Sequence, residues 1–459
     1  MQRANRVRAV SGIAAVLAAV TLPASAVAAT TPTTSATTLT SSTGSSAYDS
    51  AVSFTARITS PAGTPTGSVL FTDASNGSIL GTARVSNGTA SFTTAALAPG
   101  ARKIVARYPG SSAVRASSSP AVGIRVTTAA SDALAYQVDP RHDGDQAVGG
   151  LKPRSLKKKW TVTLGVASSY QYEAGDVSYP VIAGGRVFVT VENSRTTGTA
   201  LHALNARNGA TDWSVGLGGS YGFSALAYDG QRVFALNNDG FLTAFAAGTG
   251  HELWATQLPV QYSFTAAPTA YDGLVYVSGS GSGGTVYAVS EAGGVVEWSK
   301  PVANGDESSP AVDSAGAYVS YDCQQDYRFS LGGRQVWHYQ GSCEGGGGST
   351  AVLHGNSLYA RGSTAIDAPV VLSKPAGKLT GTFASATAPA FGATGMFTLQ
   401  GGNLVAVAPS GSPDRWTFSN GNLVTAPVVN AGVVYVGSSH GRVYGLSVRS
   451  GARLFTGTA

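Results

Sequence analysis

Ala203-Leu204-Asn205-Ala206-Arg207-Asn208-Gly209-Ala210-Thr211-Asp212-Trp213 sets a spacing that returns twice, as Ala244, Gly250 and Trp254 and as Ala288, Gly294 and Trp298. In each, the glycine stands six positions after the alanine and the tryptophan four after the glycine. All six tryptophans lie at or after residue 160, at 160, 213, 254, 298, 337 and 416. Their separations are 53, 41, 44, 39 and 79; Phe383 divides the last interval, and Phe455 follows Trp416 by 39. A fixed period of this length is the mark of a repeat architecture.

A second ruler agrees. Phe188, Phe234, Tyr276, Tyr318, Tyr359, Phe397 and Tyr435 each sit in a short apolar run, 46, 42, 42, 41, 38 and 38 residues apart. Pro180, Pro268, Pro310, Pro389 and Pro427 each stand eight positions ahead of one of them. Each unit therefore holds four short strands: proline-led, aromatic-bearing, alanine-bearing and tryptophan-bearing. One such sheet cannot bury both faces, whereas sheets stacked around an axis can, and closing the ring limits exposed edges. The chain is expected to be all-β, with a propeller of seven blades. An eighth, partial blade near Tyr136 stays open. Trp160, Trp213, Trp254, Trp298, Trp337, Phe383, Trp416 and Phe455 are read as wedges between blades, and the glycines as turns into the outer strand. Closure is expected where Lys159-Trp160-Thr161-Val162 shares a sheet with Arg453-Leu454-Phe455-Thr456.

The run from Ala203 to Trp213, with Asp272-Gly273-Leu274-Val275-Tyr276-Val277, resembles the propellers of the pyrroloquinoline-quinone (PQQ) binding type over about two-thirds of the chain. That resemblance implies either a quinone- and calcium-dependent alcohol dehydrogenase or a non-catalytic scaffold. The dehydrogenases are known for a disulfide between adjacent cysteines; here Cys323 and Cys343 stand 20 apart. All the tryptophans are taken by the repeat register, and no stretch matches the quinone site residue by residue. No cofactor is therefore expected, PQQ and calcium belonging only to the dehydrogenase alternative.

The N-terminal part reads differently. Arg3, Arg6 and Arg8, an apolar run from Ile13 to Leu22 and small residues at Ala24, Ser25 and Ala26 form a secretory signal over 1–28. A Thr/Ser-rich linker covers 29–35. Val52, Phe54, Ala56 and Ile58 then alternate with polar residues, and Asn87-Gly88 marks a hairpin. Turns at regular spacing predict a β-sandwich over 36–127. Thr66-Gly67-Ser68-Val69-Leu70-Phe71, Leu80-Gly81-Thr82-Ala83 and Arg107-Tyr108-Pro109-Gly110 resemble bacterial Ig-like repeat domains, which mostly serve as spacers. Residues 128–150 are read as a polar linker and 151–459 as the propeller. Asp139, Asp143 and Asp145 in that linker are a weak calcium signal.

Charge excludes some partners. The net charge of +6 falls to +3 once the three signal arginines leave, too little for a nucleic-acid face. No second hydrophobic span follows the signal, so the mature chain is expected to be secreted, with cell-surface association open, and monomeric. Export makes a Cys323–Cys343 disulfide the default. The histidines, 142, 202, 251, 338, 354 and 440, show no metal spacing, and turns or surface explain them. The propeller mouth is the expected binding place, through Tyr170, Tyr172, Glu173, Tyr221, Tyr262, Asp306, Glu307 and Glu344. Aromatic faces beside carboxylates suit an extracellular glycan, wall polymer or protein. The expected function is thus a non-catalytic extracellular binding protein.

Overall fold

Each sequence unit after residue 180 folds as one four-stranded antiparallel sheet with its strands in chain order. The computed structural model describes residues 31–458 other than 49, 76–77, 96, 98, 129–131, 147–156, 165–176, 195–197, 219–223, 260, 306, 342–347, 363–368 and 409–413. Among these residues lie seven such sheets, here sheet 1 (181–218), sheet 2 (224–257), sheet 3 (269–302), sheet 4 (311–340), sheet 5 (352–382), sheet 6 (390–418) and sheet 7 (428–458). The signal, Tyr170, Tyr172, Glu173, Tyr221, Asp306, Cys343 and Glu344 fall outside the described residues.

Burial follows position in the sheet. The second strands are mostly buried, Gly316–Tyr321 at every position. Neighbouring sheets cover both of their faces, so they read as continuous apolar runs. The outer strands alternate instead, as in Glu252–Gln257, because one face meets solvent at the rim.

The tryptophans lie at the seams between sheets and bond across them. Trp213 Nε1 donates to the Ala247 carbonyl at 3.1 Å, Trp298 Nε1 to Leu331 at 2.9 Å and Trp337 Nε1 to Lys374 at 2.8 Å, each in the following sheet. The ring itself lies over the repeat glycine of that sheet. A Cβ on Gly250 would stand 2.6 Å from Trp213 Cε3, and Gly250 has φ 73°. The glycine of the repeat is therefore demanded twice, by its backbone and by the indole above it.

Ring closure differs from the expectation. Residues 157–164 form no strand and do not pair with Arg453–Thr458. Trp160 still lies over Gly209 and donates to the Ala206 carbonyl at 3.2 Å, the place a preceding blade's tryptophan would fill. Phe455 lies over Gly445 of its own sheet. The N-terminal strand that joins sheet 7 is Asp145–Gln146, which pairs in parallel with the inner strand Val428–Asn430. Part of the expected linker is thus inside the ring, because the axial edges of the inner strands have main-chain groups to satisfy.

The Ig-like domain is a sandwich of two sheets. One holds Ala36–Ser41, Val52–Thr59 and Thr89–Thr94; the other runs Ser45–Ala47, Val122–Thr127, Gly100–Tyr108, Ser68–Asp73, Ser78–Arg84. Val52, Phe54, Ala56 and Ile58 are all buried, as their alternation requires. Asn87 and Gly88 both have positive φ, 49° and 72°, the conformation of a tight two-residue hairpin.

This domain is not a free spacer. Tyr48 packs on Tyr228 of sheet 2 with ring centroids 6.2 Å apart, and its hydroxyl donates to Asp229 and accepts the Gly230 amide. Arg102 Nε meets Asp73 at 2.6 Å within the domain, while Arg102 Nη2 meets Asp272 of sheet 3 at 2.8 Å. All three side chains are nearly inaccessible, so the ion pairs are interior ones. The sandwich core continues without a break into residues of sheets 1 and 2.

Candidate functional site

Chain direction fixes which residues gather at which end of the ring. Each inner strand begins after a loop from the previous sheet and ends in a tight turn to the second strand. The Ig-like domain sits on the tight turns, at Asp229-Gly230 and Asp272-Gly273. The long loops, among them 258–268 and 303–310, lie at the other end, the mouth expected to bind.

These loops are tied to one another across sheets. Glu307 Oε1 accepts the Thr265 amide at 2.6 Å and its hydroxyl at 2.8 Å. Two residues on, Ser309 Oγ accepts the Ala267 amide at 2.8 Å. Both ties span 42 residues, one repeat, so equivalent loops clasp each other. Glu307 is consequently buried, at 9% exposure, and braces the loop rather than facing outward. Tyr262 is the opposite case: its amide is fixed to Ser280 O at 2.7 Å while its side chain is 79% exposed. Phe264, two residues on, is core, under Gly240 and Gly279. Of the eight expected mouth residues, Tyr262 and Glu307 are described, and of these Tyr262 is the one presented to solvent.

Beside this face, sheet 4 buries a polar group that the sequence did not flag. Asp326 is fully buried, and burial pushes its carboxyl up to about 7, with the nearby Ser320 hydroxyl pulling the other way. Gln324, 3% exposed, has neither amide atom hydrogen-bonded among the described residues. Gln325 Oε1 meets His338 Nε2 at 2.7 Å, and His338 stacks on Tyr327 at 4.0 Å. Cys323, buried with φ 61°, sits at the turn of this hairpin.

The other end holds a cavity of about 400 Å³ between the Ig-like domain, residues 132–146 and sheets 2 to 4. Asp139, Arg141, Asp145, Ala270, Tyr271 and Asp313 are among its walls. Burial raises the Asp139 carboxyl to about 6, helped by the charge of Asp143, although Arg141 holds it at 2.6 and 2.9 Å. Burial and Asp143 also raise Asp145. Burial lifts the Tyr271 hydroxyl to about 12. Three of the acids have cationic partners: Asp313 with Lys374, Asp272 with Arg102 and Asp143 with Arg141 at 3.5 Å, while His354 Nδ1 also lies 3.5 Å from Asp143. Among the described residues, no group of three or more His, Cys, Asp or Glu is placed to hold a metal ion. His142 is fully buried rather than superficial.

All six indoles are committed to blade seams, each N–H donating to a main-chain carbonyl. Also among the described residues, no helix is long and apolar enough to cross a membrane.

Comparison with known proteins agrees with this architecture. The family described as bacterial Ig-like domain (group 3) matches residues 39–127. The family described as outer membrane protein assembly factor BamB matches residues 144–322 and 257–388. No curated protein matches the chain. Similar solved structures include a quinohemoprotein alcohol dehydrogenase of Pseudomonas putida HK5, at 13% identity and TM-score 0.58, covering 72% of this chain and 73% of that one. Another, from Comamonas testosteroni, has 14% identity and TM-score 0.54 over 72% and 73%. A europium-containing methanol dehydrogenase has 13% identity and TM-score 0.54 over 72% and 86%. At such identities the likeness is one of fold. With more than half of its residues under the BamB-type profile, the chain belongs to that family of PQQ-like propellers, here preceded by a group 3 bacterial Ig-like domain.

Proposed function

We propose that this protein is an exported, non-catalytic binding module that holds a partner on the loop face of the ring, opposite the Ig-like domain. The observation that carries this reading is the commitment of all six indoles to blade seams. The mutual clasping of the loops supports it, since a braced surface binds without first being ordered. Tyr262 offers an exposed aromatic face, suited to a protein or glycan surface. The family's description, an assembly factor, favours a protein partner. In this reading Cys323 and Cys343 form a disulfide that pins the loop carrying Glu344 against sheet 4.

The test uses the full mature chain against panels of extracellular proteins, wall polymers and glycans. Saturable binding to one class, weakened by Tyr262→Ala without loss of melting temperature, is the expected result. Dye reduction with alcohols after loading with PQQ and calcium would instead establish the dehydrogenase reading. Peptide masses without reductant decide the disulfide.

A further inference from the structure

The segment 133–146 runs past the inner strands in sequence order and meets every sheet. Its carbonyls accept main-chain amides at one equivalent position in six of the seven sheets. Ala133 O takes Ile182 N of sheet 1 at 2.7 Å, and Leu134 O takes Tyr228 N of sheet 2 at 2.9 Å. Pro140 O takes Val312 N of sheet 4 at 2.7 Å, and Arg141 O takes Leu353 N of sheet 5 at 2.9 Å. Asp143 O takes Phe391 N of sheet 6 at 2.9 Å, and Gly144 O takes Val429 N of sheet 7 at 2.7 Å. Sheet 3 is reached by a side chain: His142 Nε2 lies 3.1 Å from Thr269 Oγ1, while its Nδ1 lies 3.3 Å from Ala351 O at the start of sheet 5. Gln137 Nε2 donates to Ala388 O at 3.5 Å and Pro427 O at 3.3 Å, joining the entrances of sheets 6 and 7.

The backbone of this segment is held where a free linker would not stay. Gln137, Val138 and His142 have φ of 52°, 81° and 60°. Left-handed backbone is costly for such residues, above all for β-branched valine, and persists only where the surroundings impose it. Gly144, at φ 61°, has no room for a side chain: a Cβ would stand 2.8 Å from Ala390 Cβ and 3.0 Å from Pro427 O.

We infer that residues 133–146 are an axial strap that closes the propeller from within. The inner strands present main-chain amides to the axis, and the strap caps those of sheets 1, 2, 4, 5, 6 and 7 in turn. That is a substitute for closure by a shared outer strand, which residues 157–164 do not provide. The strap also lines the cavity between the Ig-like domain and sheets 2 to 4, so it stands between the domain and the ring. The inference stands apart from the proposed function, because it concerns the ring and not its partner.

Hydrogen exchange read by mass spectrometry on the full chain tests it. Peptides covering 133–146 should exchange with the inner strands, slower than the exposed turn at 438–441 by about 1000-fold, the range between local fraying and global opening. Exchange of 133–146 at the rate of that turn, while the inner strands stay protected, would overturn the inference. In His142→Ala the inner strands of several sheets should exchange faster together. An effect confined to 133–146 would count against closure by the strap. Should that variant fail to fold, the measurement on the unaltered chain still decides.

Discussion

The indole Nε1 of Trp254 donates to the carbonyl of Glu291, 2.9 Å away across the seam between sheets 2 and 3. The same ring rests on Gly294, where a Cβ would stand 2.6 Å from Trp254 Cε3. One side chain thus fills the seam, satisfies a carbonyl of the next sheet and dictates a glycine three residues beyond it. Trp254→Phe keeps most of the volume and loses the hydrogen bond, a cost of about 1 kcal/mol. Trp254→Ala empties the seam and should cost about 3–5 kcal/mol. Urea unfolding of both variants measures the difference.

Gly294→Ala tests the other partner of that contact. At φ 69° an alanine is strained whatever the space, and the indole removes the space as well. The expected loss exceeds the roughly 1 kcal/mol typical of an alanine placed at positive φ. Combined with Trp254→Ala, the loss should be smaller than the sum of the two single losses. Strict additivity in a double-mutant cycle would refute direct contact between them.

Arg102 joins Asp73 of the Ig-like domain to Asp272 of the ring, with all three side chains at or below 7% exposure. Arg102→Ala leaves buried carboxylates without their counter-charge, a change that costs about 3–5 kcal/mol in such settings. Because the pair bridges the domains, calorimetry of this variant should split one transition into two. A single transition lowered as a whole would show that Arg102 does not carry the coupling.

His142 makes the strap sensitive to acid. Burial lowers its pKa to about 4, against the opposing pull of the Ala351 carbonyl and of Asp143. Asp143, the ring of Tyr136 and the Thr269 hydroxyl are the groups around it. The unfolded chain takes up the imidazole proton near pH 6.5 and the folded chain only near 4. Stability from this group therefore falls as pH drops across that window, by on the order of 3 kcal/mol. His142→Gln should be less stable than the unaltered protein at pH 7, with the gap closing towards pH 4. Denaturant midpoints at the two pH values read this directly.

Asp326 acts in the opposite sense. Its folded pKa of about 7 lies above the unfolded value, so its contribution is whole below pH 4 and is lost as pH rises through 7. Asp326→Asn mimics the protonated acid. The variant should match the unaltered protein at pH 4 and exceed it at pH 8, by on the order of 3 kcal/mol. Equal stabilities at both pH values would place the carboxylate in a solvated setting.

Much of the fold was legible because it repeats. The alanine–glycine–tryptophan spacing is a local record of an indole-on-glycine contact made six times among the described residues, and Val52 to Ile58 show their buried face by alternation alone. The candidate site was less so. Glu307 and Tyr262 look alike as loop residues, yet one braces Thr265 and the other faces solvent. Asp326 carried no signal, since an aspartate in a strand says nothing of the depth at which its strand lies.

The sequence by itself determined the repeating sheets, the glycine under each indole and the Ig-like sandwich, because those depend on side-chain type at fixed spacing. Only the tertiary structure decided how the ring closes and that the N-terminal domain is docked. Residues 133–146 bind the sheets mainly through main-chain carbonyls, which every residue possesses, so no side-chain pattern announces them. Arg102 and Asp272 lie 170 residues apart, and their pairing exists only once two separate folds have met.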